Sequence, residues 1–406
     1  MYKDIDRLMK KMGISALYAE GSPQNDATMY YLLRGAHISA YYVKRRGKRA
    51  CVVHSPIERE VAAQTGHRLI STNRYNMRSI FERYRDPVKA RTVFIDTILR
   101  DLRVRGNVVF HGSRHMDNSY YLMRYLTRLN RRIEIYRSTG RGVISYARET
   151  KDVAEVARIK RARNGVIRAF DRMITAVRAM RVKKGLIMKD RKRYLRLGDL
   201  RSMLTRTLFE NNLINSGGMI VAQGRDAGVP HNAGRDGCAV RVGKTIVFDI
   251  FPQEIGGGYY FDFTRTICFG HAPKYLRAIY QTVKDAQDYA FELLSVGKKY
   301  RSIERAICDF FEKRGHPTFL SSPKTQRGYC HSLGHGLGLD IHESPTFNLL
   351  KNNADTIKRG HVFTVEPGLY YPEKGFGIRL EDVVHINSRG QVQNLTRYPR
   401  QFVIEM

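Results

Sequence analysis

Thr245-Ile-Val-Phe-Asp249-Ile-Phe251 sets an acid inside an apolar, strand-like run. A carboxylate there is costly unless it is paired or ligates a cation. Past Gly256-Gly-Gly258 the chain reads Tyr259-Tyr-Phe-Asp262-Phe-Thr-Arg-Thr-Ile267. Period-two alternation puts Tyr260, Asp262, Thr264 and Thr266 on one face of that second strand. The glycines let the chain turn back, so the two segments read as a hairpin with Asp249 and Asp262 side by side. Two carboxylates held that close repel unless positive charge lies between them.

A second acid pair has the same character. Val362-Phe-Thr-Val-Glu366-Pro-Gly ends an apolar strand on an acid, and Gly377-Ile-Arg379-Leu-Glu381-Asp-Val-Val follows fifteen residues on. Alternation puts Arg379 and Glu381 on one strand face. Between the pairs lies His331-Ser-Leu-Gly-His335-Gly-Leu-Gly-Leu-Asp-Ile-His342-Glu-Ser-Pro, a glycine-broken segment that can bring imidazoles to the acids. Four carboxylates with one or more imidazoles make a hard, oxygen-rich site. Such a site suits two divalent ions of the Mn²⁺ or Co²⁺ type better than a thiolate zinc site, with Zn²⁺ as a further option. Two ions about 3.5–4 Å apart can bridge one water and give a hydroxide at neutral pH. A lone strand aspartate is ordinarily a turn cap and a lone histidine a hydrogen-bonded core residue; the joint pattern is what points to metal.

Outward from these motifs, the chain divides. In residues 1–140, Asp4 to Met12 has helical spacing, while Ala16-Leu-Tyr, Ala40-Tyr-Tyr-Val, Ala50-Cys-Val-Val-His, Thr92-Val-Phe-Ile and Asn107-Val-Val-Phe-His read as strands. Strands interleaved with helices predict an α/β domain over 1–145 with a parallel or mixed sheet. Arg137-Ser-Thr-Gly-Arg-Gly-Val is a connecting stretch ending near Ser145. Residues 146–406 form the second domain. A long amphipathic helix covers Lys151 to about Met180 and a second helix Gly198 to Asn211. Strands across 217–268, helices across 273–314 and strands across 328–404 then predict an α+β architecture.

At 406 residues and 42% hydrophobic, the chain can bury two cores. The charged start Met-Tyr-Lys-Asp-Ile-Asp lacks the apolar stretch of a signal peptide, and no apolar run is long enough to span a membrane. Five scattered cysteines without a CxxC pair argue for reduced thiols and a cytoplasmic location. Lysine and arginine number 71 against 38 acids, a net of +33. Residues 1–200 hold 45 basic and 18 acidic residues and 201–406 hold 26 and 20, so the excess lies away from the acidic site. Its densest stretch runs from Arg181 to Arg196. Clustered lysine and arginine suit a nucleic-acid or anionic-surface contact. No module with base-stacking aromatics is recognisable, however, so a solvated basic surface is the plainer reading.

The strings GHGLGLDIHESP, FTVEPGLYY, GIRLED and DFTRT resemble those of the pita-bread metallopeptidases, in the aminopeptidase P and prolidase branch. The resemblance covers about 145–406; the first domain fits that branch's creatinase-type N-terminal domain in size and pattern. It implies a pita-bread catalytic domain and a dinuclear exopeptidase cleaving Xaa-Pro bonds through a metal-bridging hydroxide. Carried over, Asp249 would bind one ion, Asp262 and Glu381 would bridge both, and His335 and Glu366 would complete the other. The interval between the aspartates is longer than in many members, and the excess falls in the glycine turn. The resemblance assigns His231, in Val229-Pro-His-Asn, to substrate binding and His342 to the scissile carbonyl or proline region. His331 would line the proline pocket, Arg379 would orient Glu381 and substrate, and Glu366 would shuttle the proton. It also implies a homodimer.

Three features favour this branch over a methionine aminopeptidase: the extra N-terminal domain, His331 four residues before His335, and the short Glu366–Glu381 interval with GIRLED. A non-catalytic pita-bread protein that binds nucleic acid or partners through its basic half is the rival from another class. Its members typically lose metal ligands, whereas all five acid and histidine positions are filled here.

Overall fold

The computed structural model describes residues 3–24, 26–138 and 140–406. Met1 and Tyr2, at the charged start, and Thr139, in the connecting stretch, lie outside them. The chain forms two compact units, Met1–Arg148 with Gly256–Gly258, and Glu149–Ile255 with Tyr259–Met406. Residue 145, where the connecting stretch was expected to end, lies within the helix Val143–Glu149.

The first unit is α/β. Its six-stranded sheet runs in the order Arg68–Ser71, Cys51–His54, Ala40–Arg45, Ala16–Gly21, Gly106–His111, Ile133–Ile135. The two central meander pairings are antiparallel and the three outer ones parallel, so the sheet is mixed. Thr92-Val-Phe-Ile, read as a strand, is instead part of the helix Pro87–Asp101. The run is β-branched, but its surroundings decide otherwise. Asp86 caps the helix by accepting from the backbone of Val88 and Lys89, and Pro87 takes the first turn. Ala90, Phe94, Ile95, Ile98 and Leu99 then recur at helical spacing and are all buried.

The second unit opens with the helix Val153–Arg178, started by a reciprocal capping box between Asp152 and Glu155. Loss of such a cap typically costs about 1 kcal/mol. Its stripe of Val156, Ile159, Val166, Phe170, Met173 and Val177 is buried. A four-stranded sheet follows in the order Ile220–Gln223, Ile246–Asp249, Thr264–Phe269, Val403–Ile404. A five-stranded sheet runs Glu343–Thr346, His335–Gly336, Val362–Val365, Asp382–Ile386, Val392–Asn394. Inserted before its fourth strand in spatial order is the ribbon of Gly368–Tyr371 and Phe376–Arg379. The helices Lys274–Leu293 and Tyr300–Glu312 share one core with these strands.

Register places the acids. Asp249 lies opposite Thr264, so Asp262 falls two residues away on the same face. Val365 lies opposite Asp382, which brings Glu366 and Glu381 to the next position of that ladder. The two hairpins are joined by Arg265, which is 1% exposed. Its guanidinium donates to the carbonyls of Thr264, Glu381, Tyr398 and Pro399 and to Asp382 Oδ1 at 2.7–3.1 Å. All five of its N–H donors are thereby used.

Candidate metal centre

His335 begins a two-residue strand between two close backbone approaches: a Cβ on Gly334 would collide with the Thr364 carbonyl, and one on Gly336 with Ser344. The glycines of this segment therefore let the imidazole sit hard against the sheet. His335 Nδ1 faces the carbonyl of Gly336 at 3.1 Å. A carbonyl only accepts, so Nδ1 carries the hydrogen and Nε2 presents a lone pair. That lone pair faces Glu366 Oε1 at 3.3 Å and Asp262 Oδ2 at 3.6 Å.

Ligand atoms of Asp262, His335 and Glu381 all lie within 4.8 Å of one another. Asp262 is 4% exposed and Glu381 2%, yet Asp262 Oδ1 has no hydrogen-bond partner among the described residues. Burial, then repulsion from Glu381 and Asp249, pushes the Asp262 carboxyl well above its ordinary range. Glu381 is pushed up by burial and by Glu366 and Asp249, and Glu366 by burial, with Asp262 and Asp249 adding to it against the pull of Arg379. His335 goes the other way, to about 3, through burial and the neighbouring His342 imidazole. Two buried carboxyls, Asp262 and Glu381, the half-buried Glu366 and an imidazole lone pair thus converge, and Arg379, the guanidinium that acts on them, is ion-paired with Asp249. Hard oxygens with one imidazole nitrogen fit a divalent cation, which would relieve the repulsion among the carboxyls.

The remaining predicted residues gather around this group. Arg379, 3% exposed, is ion-paired with Asp249, donates to Tyr370 Oη at 2.7 Å and to Thr264 Oγ1 at 3.2 Å. Thr264 Oγ1 in turn donates to Glu381 Oε2 at 2.8 Å, so a hydrogen-bonded relay links Arg379 to Glu381 through that hydroxyl. His331 has both ring nitrogens used: Nδ1 donates to the Ser332 carbonyl and Nε2 accepts from Tyr370 Oη, each at 2.8 Å. Burial and Arg379 hold its pKa down near 3, so the ring is neutral. His342 stands edge-on to His335 with ring centroids 4.2 Å apart. His342 and His231 are both exposed, and burial together with His231 makes His342 harder to protonate.

Residues 157–388 match the model of metallopeptidase family M24. The chain belongs to metallopeptidase family M24. Membership implies divalent metal ions. An M24 relative, the Xaa-Pro dipeptidase of Pyrococcus furiosus, is 32% identical over 184 residues, which are 45% of this chain and 48% of that one. The chain thus spans about half the length of the curated relatives it matches. Among solved structures, the X-Pro aminopeptidase from Thermotoga maritima superposes with a TM-score of 0.74 at 23% identity, covering 98% of this chain and 100% of that one. The Xaa-Pro dipeptidase from Bacillus anthracis gives 0.75 at 21% identity, covering 99% of each. These likenesses cover the whole chain, an N-terminal α/β domain followed by a pita-bread domain.

Several supporting residues of this M24 chain lie outside the motifs. Thr364 Oγ1 accepts from the His335 backbone and donates to Glu366 Oε1, both at 3.1 Å. Its signal was available, since Thr364 precedes Glu366 by one strand period, as Asp262 precedes Thr264. Gln287, fully buried on the helix Lys274–Leu293, donates from Nε2 to the carbonyls of Val365 at 3.0 Å and Leu380 at 3.2 Å. Those carbonyls immediately precede Glu366 and Glu381. Glu304, fully buried, accepts from Tyr329 Oη and from the Leu333 backbone, both at 2.7 Å, and so anchors the histidine segment. Neither helix residue carries a signal in its own neighbourhood of sequence.

Proposed function

We propose that residues 146–406 hydrolyse peptide bonds that precede proline, as an Xaa-Pro aminopeptidase or Xaa-Pro dipeptidase. The observation that carries this reading is the His335 Nε2 lone pair turned toward the carboxylates of Asp262 and Glu366, beside the orphaned Asp262 Oδ1. Asp249, Asp262, His335, Glu366 and Glu381 would hold two divalent ions, Mn²⁺ in the first place, with Co²⁺ or Zn²⁺ as alternatives. Bound there, the ions would acidify a water into the nucleophile. The proline preference is supported by the likeness to the Xaa-Pro dipeptidase of Pyrococcus furiosus.

The protein groups take the other roles. Glu366 Oε1 is engaged by Thr364, which leaves Oε2 to take a proton and pass it to the departing proline nitrogen. His342 and His231, exposed imidazoles beside the site, would hydrogen-bond the substrate carbonyls as charge develops. His331 has no free nitrogen to offer and would present its ring face to proline. Arg379 would fix Asp249 directly and Glu381 through Thr264. The same reading carries a homodimer and a cytoplasmic location, the first open to sedimentation velocity.

The test incubates metal-loaded protein with Xaa-Pro dipeptides, longer Xaa-Pro peptides and Met-Ala peptides, and identifies the products. Release of the first residue from the proline peptides supports the proposal, and dipeptide-only cleavage assigns it as a dipeptidase. Preferential cleavage of Met-Ala sinks the proline assignment.

A further inference from the structure

The densest basic stretch of the sequence takes no part in the metal centre, and its structure is specific. Residues 178–196 carry nine basic side chains and one acid. Within them Arg181–Lys183 and Leu186–Met188 form an antiparallel ribbon, closed by a turn with positive φ at Lys184 (51°) and Gly185 (75°). Two positive φ values in a two-residue loop match the twist of a tight hairpin. The free edge of Leu186–Met188 carries two further bridges, Leu186 to Arg241 and Met188 to Tyr194.

Register assigns its faces. Arg181 lies opposite Met188, and Lys183 opposite Leu186. Residues paired directly across strands share a face, so Arg181, Lys183, Arg241 and Tyr194 project on the same side. The alternate position, Ile187, is fully buried and turns the other face to the body of the unit. Arg181, Lys183, Lys184, Arg191, Lys192 and Arg241 are all exposed. Lys189 and Arg193 are paired with Asp199 and Asp190. Among the described residues, none of those six exposed cations forms an ion pair.

We propose that this ribbon is a binding surface for nucleic acid, engaged through the phosphate backbone with Tyr194 available to stack on a base. Neutralising phosphates needs several unpaired cations on one face, which the ribbon supplies. Arg181 and Lys183 stand two strand residues apart, about 6.6 Å, of the order of the separation between neighbouring phosphates on one strand. Tyr194, 47% exposed, adds the aromatic surface that sequence-tolerant single-strand binding uses. A second copy of the chain would bring like charge against like, and the ribbon lacks the broad apolar face that inserts into a bilayer.

The test measures fluorescence anisotropy of a labelled single-stranded RNA and a duplex DNA with the full chain across a salt series. Four neutralised phosphates on a single strand give a slope of about −3 in log K against log salt. The ribbon variant combines Lys183→Glu, Lys184→Glu and Lys192→Glu, all at exposed positions, so the fold should be retained and circular dichroism checks it. A control combines Lys313→Glu and Lys324→Glu, exposed lysines elsewhere in the same unit. The proposal expects the ribbon variant to bind at least about tenfold more weakly with a slope shallower by about 2, and the control to change by less than threefold. Equal weakening in both variants would mean diffuse charge and overturn it. So would binding to phosphatidylserine vesicles without binding to nucleic acid, or no binding at low salt.

Discussion

Thr264 donates its hydroxyl hydrogen to Glu381 at 2.8 Å while accepting one from Arg379 at 3.2 Å, and so ties together two acid-bearing hairpins more than a hundred residues apart in sequence. Thr264→Val keeps the shape and removes both bonds. Leaving buried partners unsatisfied costs about 1–3 kcal/mol. The expected outcome is a lower denaturation midpoint and a smaller Mn²⁺-induced rise in Tm, with Thr264→Ser restoring both. A full metal response in the valine variant would remove Thr264 from the support of Glu381.

Asp262 is held against its own electrostatics, by burial and by Glu381 and Asp249. Replacing it with asparagine relieves that repulsion while removing a proposed ligand. Asp262→Asn should therefore raise the Tm of chelator-stripped protein and abolish the further rise on adding Mn²⁺. Calorimetry of both states reads this; a stripped variant that melts lower and still responds to metal would contradict it.

Glu304 gives a pH signature apart from the metal centre. Burial raises its pKa from 4.5 to about 8, with the Leu333 amide and the Tyr329 hydroxyl opposing. Between those values the folded state keeps a proton that the unfolded state has released. Stability from this group is intact below the unfolded value and declines as pH rises toward the folded one, with a slope approaching about 1.4 kcal/mol per pH unit. Glu304→Gln should flatten that part of the profile. Urea midpoints at pH 5.5 and 8.0, compared between the two proteins, would show equal pH dependence if the assignment is wrong.

Gln287 and Arg265 act on backbone carbonyls beside Glu366 and Glu381. Arg265→Met strands Asp382 and several carbonyls at once and should cost about 3–5 kcal/mol. Gln287→Leu should cost about 1–3 kcal/mol. It should also weaken Mn²⁺ affinity measured by titration calorimetry, whereas a stability loss with unchanged affinity would make Gln287 a packing residue only.

The candidate metal centre is legible because acids in apolar strands contradict packing, and contradiction is visible locally. Asp249, Asp262, Glu366 and Glu381 each stood out this way, and glycines marked the His335 segment. Arg265, Gln287 and Glu304 did not, since their partners are carbonyls and amides that only the fold brings near. His331 was read as a pocket residue, but its engagement with Tyr370 depends on a ribbon register that no spacing reveals. In the first unit, β-branched Thr92 to Ile95 has strand character, and the Asp86-Pro87 start signal that overrides it lies five residues upstream. Thr92 accommodates the helix by bonding its hydroxyl to the Val88 carbonyl at 2.7 Å.

The central claim is that buried acids and His335 assemble metal for cleavage before proline. It is tested most directly by comparing one peptide with proline at its second position against the same peptide with alanine there, using chelator-stripped and Mn²⁺-reloaded protein and the Glu366→Gln variant. The expected result is release of the first residue from the proline peptide only, restored by metal and lost by at least about a hundredfold in the variant. Cleavage that survives stripping, favours alanine, or persists without Glu366 would contradict the account.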